Sequence, residues 1–162
     1  MTTLSPTAVF VKSAISAWQT WVDRSTRILN ELSDEQLQKE IAPGKNRGIY
    51  LVGHLAAVHD AMPEILGLGK KNYPDLKAIF LDVPDKTVDK IPSASELRVI
   101  WTAVHERLKN EFAKMEPEAW FTRHESMTDA DFEKDPARNK LSVLLNRTSH
   151  LSYHAGQIIL LK

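Results

Sequence analysis

The C-terminal segment NKLSVLLNRTSHLSYHAGQIILLK (139–162) carries most of the information about the fold. Its apolar residues recur every three or four positions, which predicts one long helix from Asn139 to Lys162. The end of this helix, IILL (158–161), is apolar on every side. Such a helix end is expected to be buried on every side, either at the centre of a bundle or against a second copy of the chain.

Three further segments have the same helical periodicity. Within them, Ser93 and Glu96 have the spacing of a capping box. Pro63 predicts a kink or a break, because proline has no N–H to donate to the preceding turn. In chain order, the segments are about Thr7 to Leu32, Ile49 to about Leu66, and Ser93 to about Met115.

No segment has the alternation of apolar and polar residues that is typical of β-strands. The sequence therefore predicts an all-α protein, most simply a four-helix bundle that forms a single domain over residues 1–162. The connections 67–92 and 116–138 are longer than the ~2–8 residues of a minimal bundle. We expect the second of them to form a lid or a partner surface.

The composition is that of an ordinary globular protein, with 43% hydrophobic and 26% charged residues. Lys and Arg number 21, and Asp and Glu also number 21, so no net charge favours binding to nucleic acid or to a membrane surface. The sequence has no signal peptide pattern and no apolar stretch of the ~20 residues that cross a bilayer. We therefore expect a cytoplasmic protein that binds a small-molecule substrate.

The chain contains no cysteine and six histidines, so imidazoles are its only soft metal ligands. His150 and His154 stand four residues apart, which places both rings on one helical face. A third ligand has to come from another helix. His54 and His59 both qualify, because they flank the apolar stripe of the second helix on opposite sides, and periodicity does not separate them.

Two metal chemistries are excluded by the residues around the histidines. The zinc-protease motif HExxH is absent, because Leu151 follows His150. A di-iron centre of the ferritin type needs Glu-x-x-His, and residues 141–161 contain no acidic residue. A mononuclear site of three neutral imidazoles remains, which suits zinc, nickel or iron alike.

Two polar residues share the helical face of His150 and His154. Arg147 lies three residues before His150, and Gln157 lies three residues after His154. We expect both to orient substrate or the metal ligands, since an arginine beside a cationic metal is favourable only with an anion between them. The other expectations are that Tyr153 packs in the core, that Asp60, His105 and His124 face solvent, and that Trp120-Phe121 closes over the site.

Two segments resemble a known family. GIYLVGHLAAVHDAM (48–62), preceded by the turn APGKN (42–46), resembles the second-helix signature of the DinB-like (YfiT-like) metalloenzymes, and SHLSYHAGQI (149–158) resembles their closing H-x-x-x-H helix. The resemblance implies a four-helix bundle of up-down-down-up type that holds one divalent metal ion. The implied ligands are His54, His150 and His154, which leaves His59 as a structural residue or as part of the pocket rim.

Characterised members of that family include thiol-dependent S-transferases and a mycothiol-dependent maleylpyruvate isomerase. The resemblance therefore implies a homodimeric, metal-dependent transferase in which the metal activates the thiol of a low-molecular-weight cofactor. Two alternatives stay open. One is a non-catalytic dimeric bundle that serves as a binding scaffold, and the other is a metal-assisted hydrolase that uses bound water.

Overall fold

The computed structural model describes residues 4–162, and these contain helices and no β-strand. The prediction of an all-α protein is confirmed. Within the same residues, no helix combines the length and the apolar character that crossing a bilayer needs. The α-helices are α1 (Pro6–Glu31), α2 (Asp34–Leu37), α3 (Gly48–Asp60), α4 (Met62–Leu66), α5 (Leu76–Phe80), α6 (Ala94–Phe112), α7 (Asp129–Lys134) and α8 (Lys140–Ile158), with 3₁₀ turns at Pro117–Phe121 and Ile159–Leu161.

The long helices α1, α6 and α8 begin at side-chain caps. The hydroxyl of Ser5 and the side-chain oxygen of Asn139 each accept a backbone N–H of the first turn. Ser93 and Glu96 form the capping box that their spacing predicts. These bonds satisfy N–H groups that have no partner within the helix, which explains where the three helices begin.

The predicted break at Pro63 is present. α3 ends at Asp60 and α4 begins at Met62, with Pro63 in its first turn. Proline has no N–H for the carbonyl of His59, so the helix is interrupted there. Gly67 caps the end of α4, and its φ of 73° lies in the left-handed region that glycine adopts without steric cost.

Contacts between helix ends give the directions of the long helices. Lys162 follows the end of α8 and pairs with Glu31 at the end of α1, so these two helices run the same way. Arg98, near the start of α6, donates to the carbonyl oxygen of Leu32, just after α1. α6 therefore runs opposite to α1. α3 also runs opposite to α8, because its first residue, Gly48, lies against the C-terminal end of the chain.

The hydrophobic core lies between these four helices. Trp120 is fully buried and packs on Phe112, with 5.1 Å between the ring centroids. The prediction that Trp120-Phe121 closes over the site is wrong, because the 3₁₀ turn directs Trp120 into the core and leaves Phe121 at the surface. Other fully buried core residues include Trp18, Leu55, Leu108 and Leu144.

The connection 67–92 is anchored along α3. Phe80 of α5 is fully buried, and its ring covers Gly53. Further along the connection, Asp85 accepts from both the backbone N–H and the guanidinium of Arg47. These contacts hold the connection against the first half of α3. The other connection, 116–138, contains a 3₁₀ turn and α7, and its role as a lid or a partner surface stays a prediction.

Within a single chain, the C-terminal IILL segment is not buried on every side. Ile158 and Leu161 are buried, whereas Leu160 is 70% exposed and Ile159 is partly exposed. The apolar end of the last helix therefore contributes only one side to the core. The expectation of burial at the centre of the bundle is wrong for Leu160, because the segment closes the end of the bundle as a 3₁₀ turn.

Candidate metal centre

Three histidines from two helices meet beside the core. α3 presents His54, and α8 presents His150 and His154 on consecutive turns. The Nε2 atom of His150 lies 3.2 Å from Nε2 of His54 and 3.0 Å from Nε2 of His154. All three side chains are partly buried and lie close enough together to hold one metal ion.

The Nδ1 atoms of two of these rings are held by oxygen acceptors. Nδ1 of His54 donates to the backbone carbonyl of Phe80 at 3.0 Å, and Nδ1 of His154 donates to Oε1 of Gln157 at 2.7 Å. Because a carbonyl oxygen can only accept, each ring carries its proton on Nδ1 and directs the lone pair of Nε2 towards the other histidines. This arrangement is the one found around metal-ligating imidazoles.

The charge state of the cluster fits a bound cation. Burial, followed by the neighbouring His154 and His54, lowers the pKa of His150 to about 4, and burial also lowers the pKa of His154. His150 and His154 therefore stay neutral near pH 7, and a neutral imidazole is the form that binds a metal ion. Nitrogens that bind one zinc ion at ~2.0–2.1 Å lie roughly 3.3 Å apart in a tetrahedral site. The Nε2 spacing is close to that value, so these residues fit a divalent metal ion.

His59 lies outside this cluster. It is fully buried, its Nδ1 donates to the carbonyl of Leu55 at 2.9 Å, and its ring lies 4.9 Å from that of His105 on α6. Of the two histidines that periodicity did not separate, His54 is therefore the one that lies in the cluster. Of the two roles predicted for His59, the structural one agrees with this position, whereas a place on the pocket rim does not.

Two residues predicted to face solvent are buried instead. His105 is 5% exposed and donates to the carbonyl of Trp101, so its prediction is wrong. Its position one turn after Trp101 and next to Val104 is a helical signal that could have placed it in the core. Asp60 is 2% exposed, and its carboxylate accepts hydrogen bonds from the backbone N–H groups of Asn72 and Tyr73. No periodic pattern reveals this contact, since it comes from a loop.

The remaining predicted residues differ in outcome. Gln157 contacts a candidate ligand, as described above. Arg147 is partly buried, and its Nε has no hydrogen-bond partner within the described residues. Tyr153 is 64% exposed, so its prediction as a core residue is wrong. His124 is only half-buried, and its Nδ1 accepts the backbone N–H of Ser126, so it faces solvent in part.

Comparison with known families identifies the fold family. The sequence profile of the DinB superfamily matches residues 18–158, which is most of the chain. The chain belongs to the DinB superfamily. The matched DinB region includes all three histidines of the cluster and all four long helices except the first turns of α1. A search of curated proteins gave no match to this DinB-superfamily chain.

Proposed function

We propose that His54, His150 and His154 bind one divalent metal ion through their Nε2 atoms. The observation that carries this proposal is the convergence of three Nε2 atoms, with separations of 3.2 Å and 3.0 Å from His150. A divalent cation between them would bind the lone pairs of all three nitrogens. Zinc, nickel and iron all suit an imidazole site.

We also infer that the protein is a metal-dependent transferase that acts on small molecules and uses a low-molecular-weight thiol. A bound divalent metal would lower the pKa of a thiol or a water molecule and make it a nucleophile near neutral pH. The chain has no cysteine, so the thiol would arrive on the cofactor. Phe80 and Gln157 would fix the ring orientations of His54 and His154 during this chemistry.

The four long helices support the bundle that the resemblance implies. α1 and α8 run in one direction, and α3 and α6 run in the other, as their end contacts indicate. In chain order this is up, down, down, up. We propose this topology as the scaffold that brings α3 and α8 side by side at the histidines.

Elemental analysis tests the metal site. The protein is expressed without an affinity tag that needs nickel, and the metal content is measured for wild type, His54→Ala and His150→Ala. We expect about one metal ion per chain in the wild type and loss of the metal in both variants. His124→Ala is the matched control, because this histidine lies outside the cluster, and it should keep the metal. Sub-stoichiometric metal in the wild type would contradict the proposal.

The reaction is tested with metal-loaded protein and two substrate panels. We expect turnover of small electrophiles only when a low-molecular-weight thiol is added, and loss of turnover in His150→Ala. Hydrolysis of esters or amides without thiol would favour the hydrolase instead. A melting temperature that EDTA leaves unchanged would favour the scaffold, because a ligand bound only by the folded state stabilises that state.

A further inference from the structure

A groove of about 390 Å³ lies beside the candidate metal centre, between α4, the segment after the Pro117–Phe121 turn, and the first half of α8. Arg147 lines this groove and stands one helical turn from His150. Besides burial and the neighbouring imidazoles, the charge of Arg147 contributes to the lowered pKa of His150. The groove and the histidine cluster are therefore neighbours on the same face of α8.

The guanidinium of Arg147 has few partners. Its one hydrogen bond goes from Nη1 to Oδ1 of Asn146 at 3.2 Å, and its buried Nε donates to no group among the described residues. Burial lowers the pKa of Arg147, yet arginine stays charged in proteins. No carboxylate lies within ion-pair distance of it among residues 4–162. By contrast, three other partly buried arginines pair with carboxylates, in Arg47–Asp85, Arg98–Asp34 and Arg123–Asp129. The fourth, Arg107, has no carboxylate partner but donates two hydrogen bonds, to the carbonyl of Lys70 and to Oδ1 of Asn72.

Among the described residues, none that lines the groove carries a negative charge. Ile65 and Val143 supply apolar walls, and Asn146 and Ser126 supply neutral polar groups. Two acidic residues, Glu64 and Glu125, are adjacent in sequence to lining residues, but neither lines the groove. Glu64 pairs with Lys71 at 3.1 Å, and Glu125 pairs with Arg123 at 3.6 Å. The buried Nε of this guanidinium costs desolvation energy when it has no acceptor, and an anionic ligand in the groove would offset that cost.

We infer that this groove is a subsite for the carboxylate group of a small molecule, which accepts hydrogen bonds from Arg147. The guanidinium presents a planar pair of donors that matches the two oxygens of a carboxylate. The carboxylate would belong to the substrate or to the thiol cofactor, and this assignment rests on the proposed function. The apolar walls accommodate the carbon chain that joins the carboxylate to the reacting group.

The surroundings favour a carboxylate over a phosphate. Arg147 is the only cationic side chain among the groove-lining residues that the structure describes, apart from the titratable His124. A single guanidinium balances one negative charge, whereas phosphate sites in proteins usually combine several cations or a helix N-terminus. Inorganic phosphate is therefore a second probe that separates the two oxyanions.

Side-chain NMR tests the subsite. The Nε–H resonance of Arg147, assigned with the Arg147→Gln variant, is followed while propanoate, its neutral analogue propanamide, or inorganic phosphate is added to the zinc-loaded protein. We expect saturable shifts with propanoate, weaker ones with phosphate and none with propanamide. Arg147→Gln should weaken propanoate binding about tenfold, which is the scale of one charge-assisted hydrogen bond. Arg147→Lys, which keeps the charge and loses the planar fork, should fall in between.

Arg27→Gln is the matched control, since it removes an exposed arginine of α1 that makes no ion pair among the described residues, and it should bind propanoate as the wild type does. The melting temperature of each variant reports on folding. Should Arg147→Gln fail to fold, the wild-type resonance and Arg147→Lys still decide the question. Equal shifts with propanoate and propanamide, tighter binding of phosphate, or no binding at all would overturn the subsite.

The same titration without metal separates the two proposals. Propanoate binding that depends on Arg147 in EDTA-treated protein supports the subsite, even if elemental analysis finds no metal and the proposed function fails. Propanoate binding that requires zinc and is unaffected by Arg147→Gln means that the carboxylate binds the metal. That outcome would overturn the subsite and leave the metal site standing.

Discussion

The side-chain oxygen of Gln157 holds the ring of His154, and its removal should weaken metal binding. Gln157→Leu leaves Nδ1 of His154 without its acceptor at 2.7 Å, so the ring is free to turn. We expect zinc affinity to fall roughly 10–100-fold, the usual effect of losing such a contact, as measured by competition with a chromophoric chelator. Gln157→Glu keeps an acceptor and should retain the affinity. Equal affinity in Gln157→Leu and wild type would show that the amide does not orient the ring.

At the same scale, His105 makes the folded state sensitive to acid. Burial lowers its pKa to about 4, against ~6.5 in an unfolded chain. The unfolded state therefore binds the proton first, so the stability contributed by neutral His105 is complete above about pH 6.5 and is lost as the pH falls towards 4. The loss between about pH 7 and pH 5 is about 2 kcal/mol.

Urea unfolding in the presence of EDTA measures this dependence. The ring of His59 lies 4.9 Å from that of His105. Burial, followed by the neighbouring His105, holds the pKa of His59 well below its usual value. His59 therefore adds to the same loss of stability in acid. His105→Gln should reduce the slope of unfolding free energy against pH. The prediction fails if wild type and variant lose stability in parallel over this range.

At the scale of elements, the contact between α3 and α5 depends on Gly53. A Cβ added there would lie 2.4 Å from the ring of Phe80, so Gly53→Ala should push α5 away from α3. Overpacking of this kind costs about 1–3 kcal/mol. Because the carbonyl of Phe80 holds His54, zinc affinity should fall as well.

Gly156→Ala is the matched control for Gly53→Ala. A Cβ at Gly156 meets no atom within 4 Å, and alanine is the better helix former, so this variant should be more stable by about 0.5–1 kcal/mol. Chemical unfolding and zinc titration of both variants check the pair. Unchanged zinc affinity in a folded Gly53→Ala protein would show that the position of α5 does not affect the metal site.

The elements also show how far the sequence alone predicts this protein. Periodicity located the long helices because their buried faces recur with the helical period. It did not locate the partners of α3, which are α8 beside His54 and α6 beside His59. The two histidines flank one stripe, so only the arrangement of neighbouring helices, or the family resemblance, distinguishes the candidate ligand. The burial of Asp60 was missed because its partners are backbone N–H groups of a loop, which leave no periodic trace. The contact of His54 with Phe80 was missed for a similar reason, because its acceptor is a backbone carbonyl.

At the scale of the whole molecule, we expect a homodimer. Leu160 is 70% exposed and Ile159 is 36% exposed at the end of the chain, next to a groove between α1 and α8 that includes Trp21. Covering this apolar surface with a second copy removes it from water. Sedimentation equilibrium should give twice the chain mass for the wild type and the chain mass for Leu160→Glu, with zinc binding unchanged. A wild-type monomer at micromolar concentration would contradict the prediction.

The hydrogen bond from His54 to the carbonyl of Phe80 links the histidine cluster to the connection that contains α5. A metal ion on Nε2 would fix the ring, and the fixed ring would in turn keep its N–H on that carbonyl. Local opening of residues 76–82 then becomes rarer when the metal is bound, so their amide hydrogens exchange more slowly with deuterated solvent. α6 supplies no ligand, so its amides that exchange through local opening should keep the same rate in both forms. The connection is thus a local reporter of metal occupancy that needs neither substrate nor turnover.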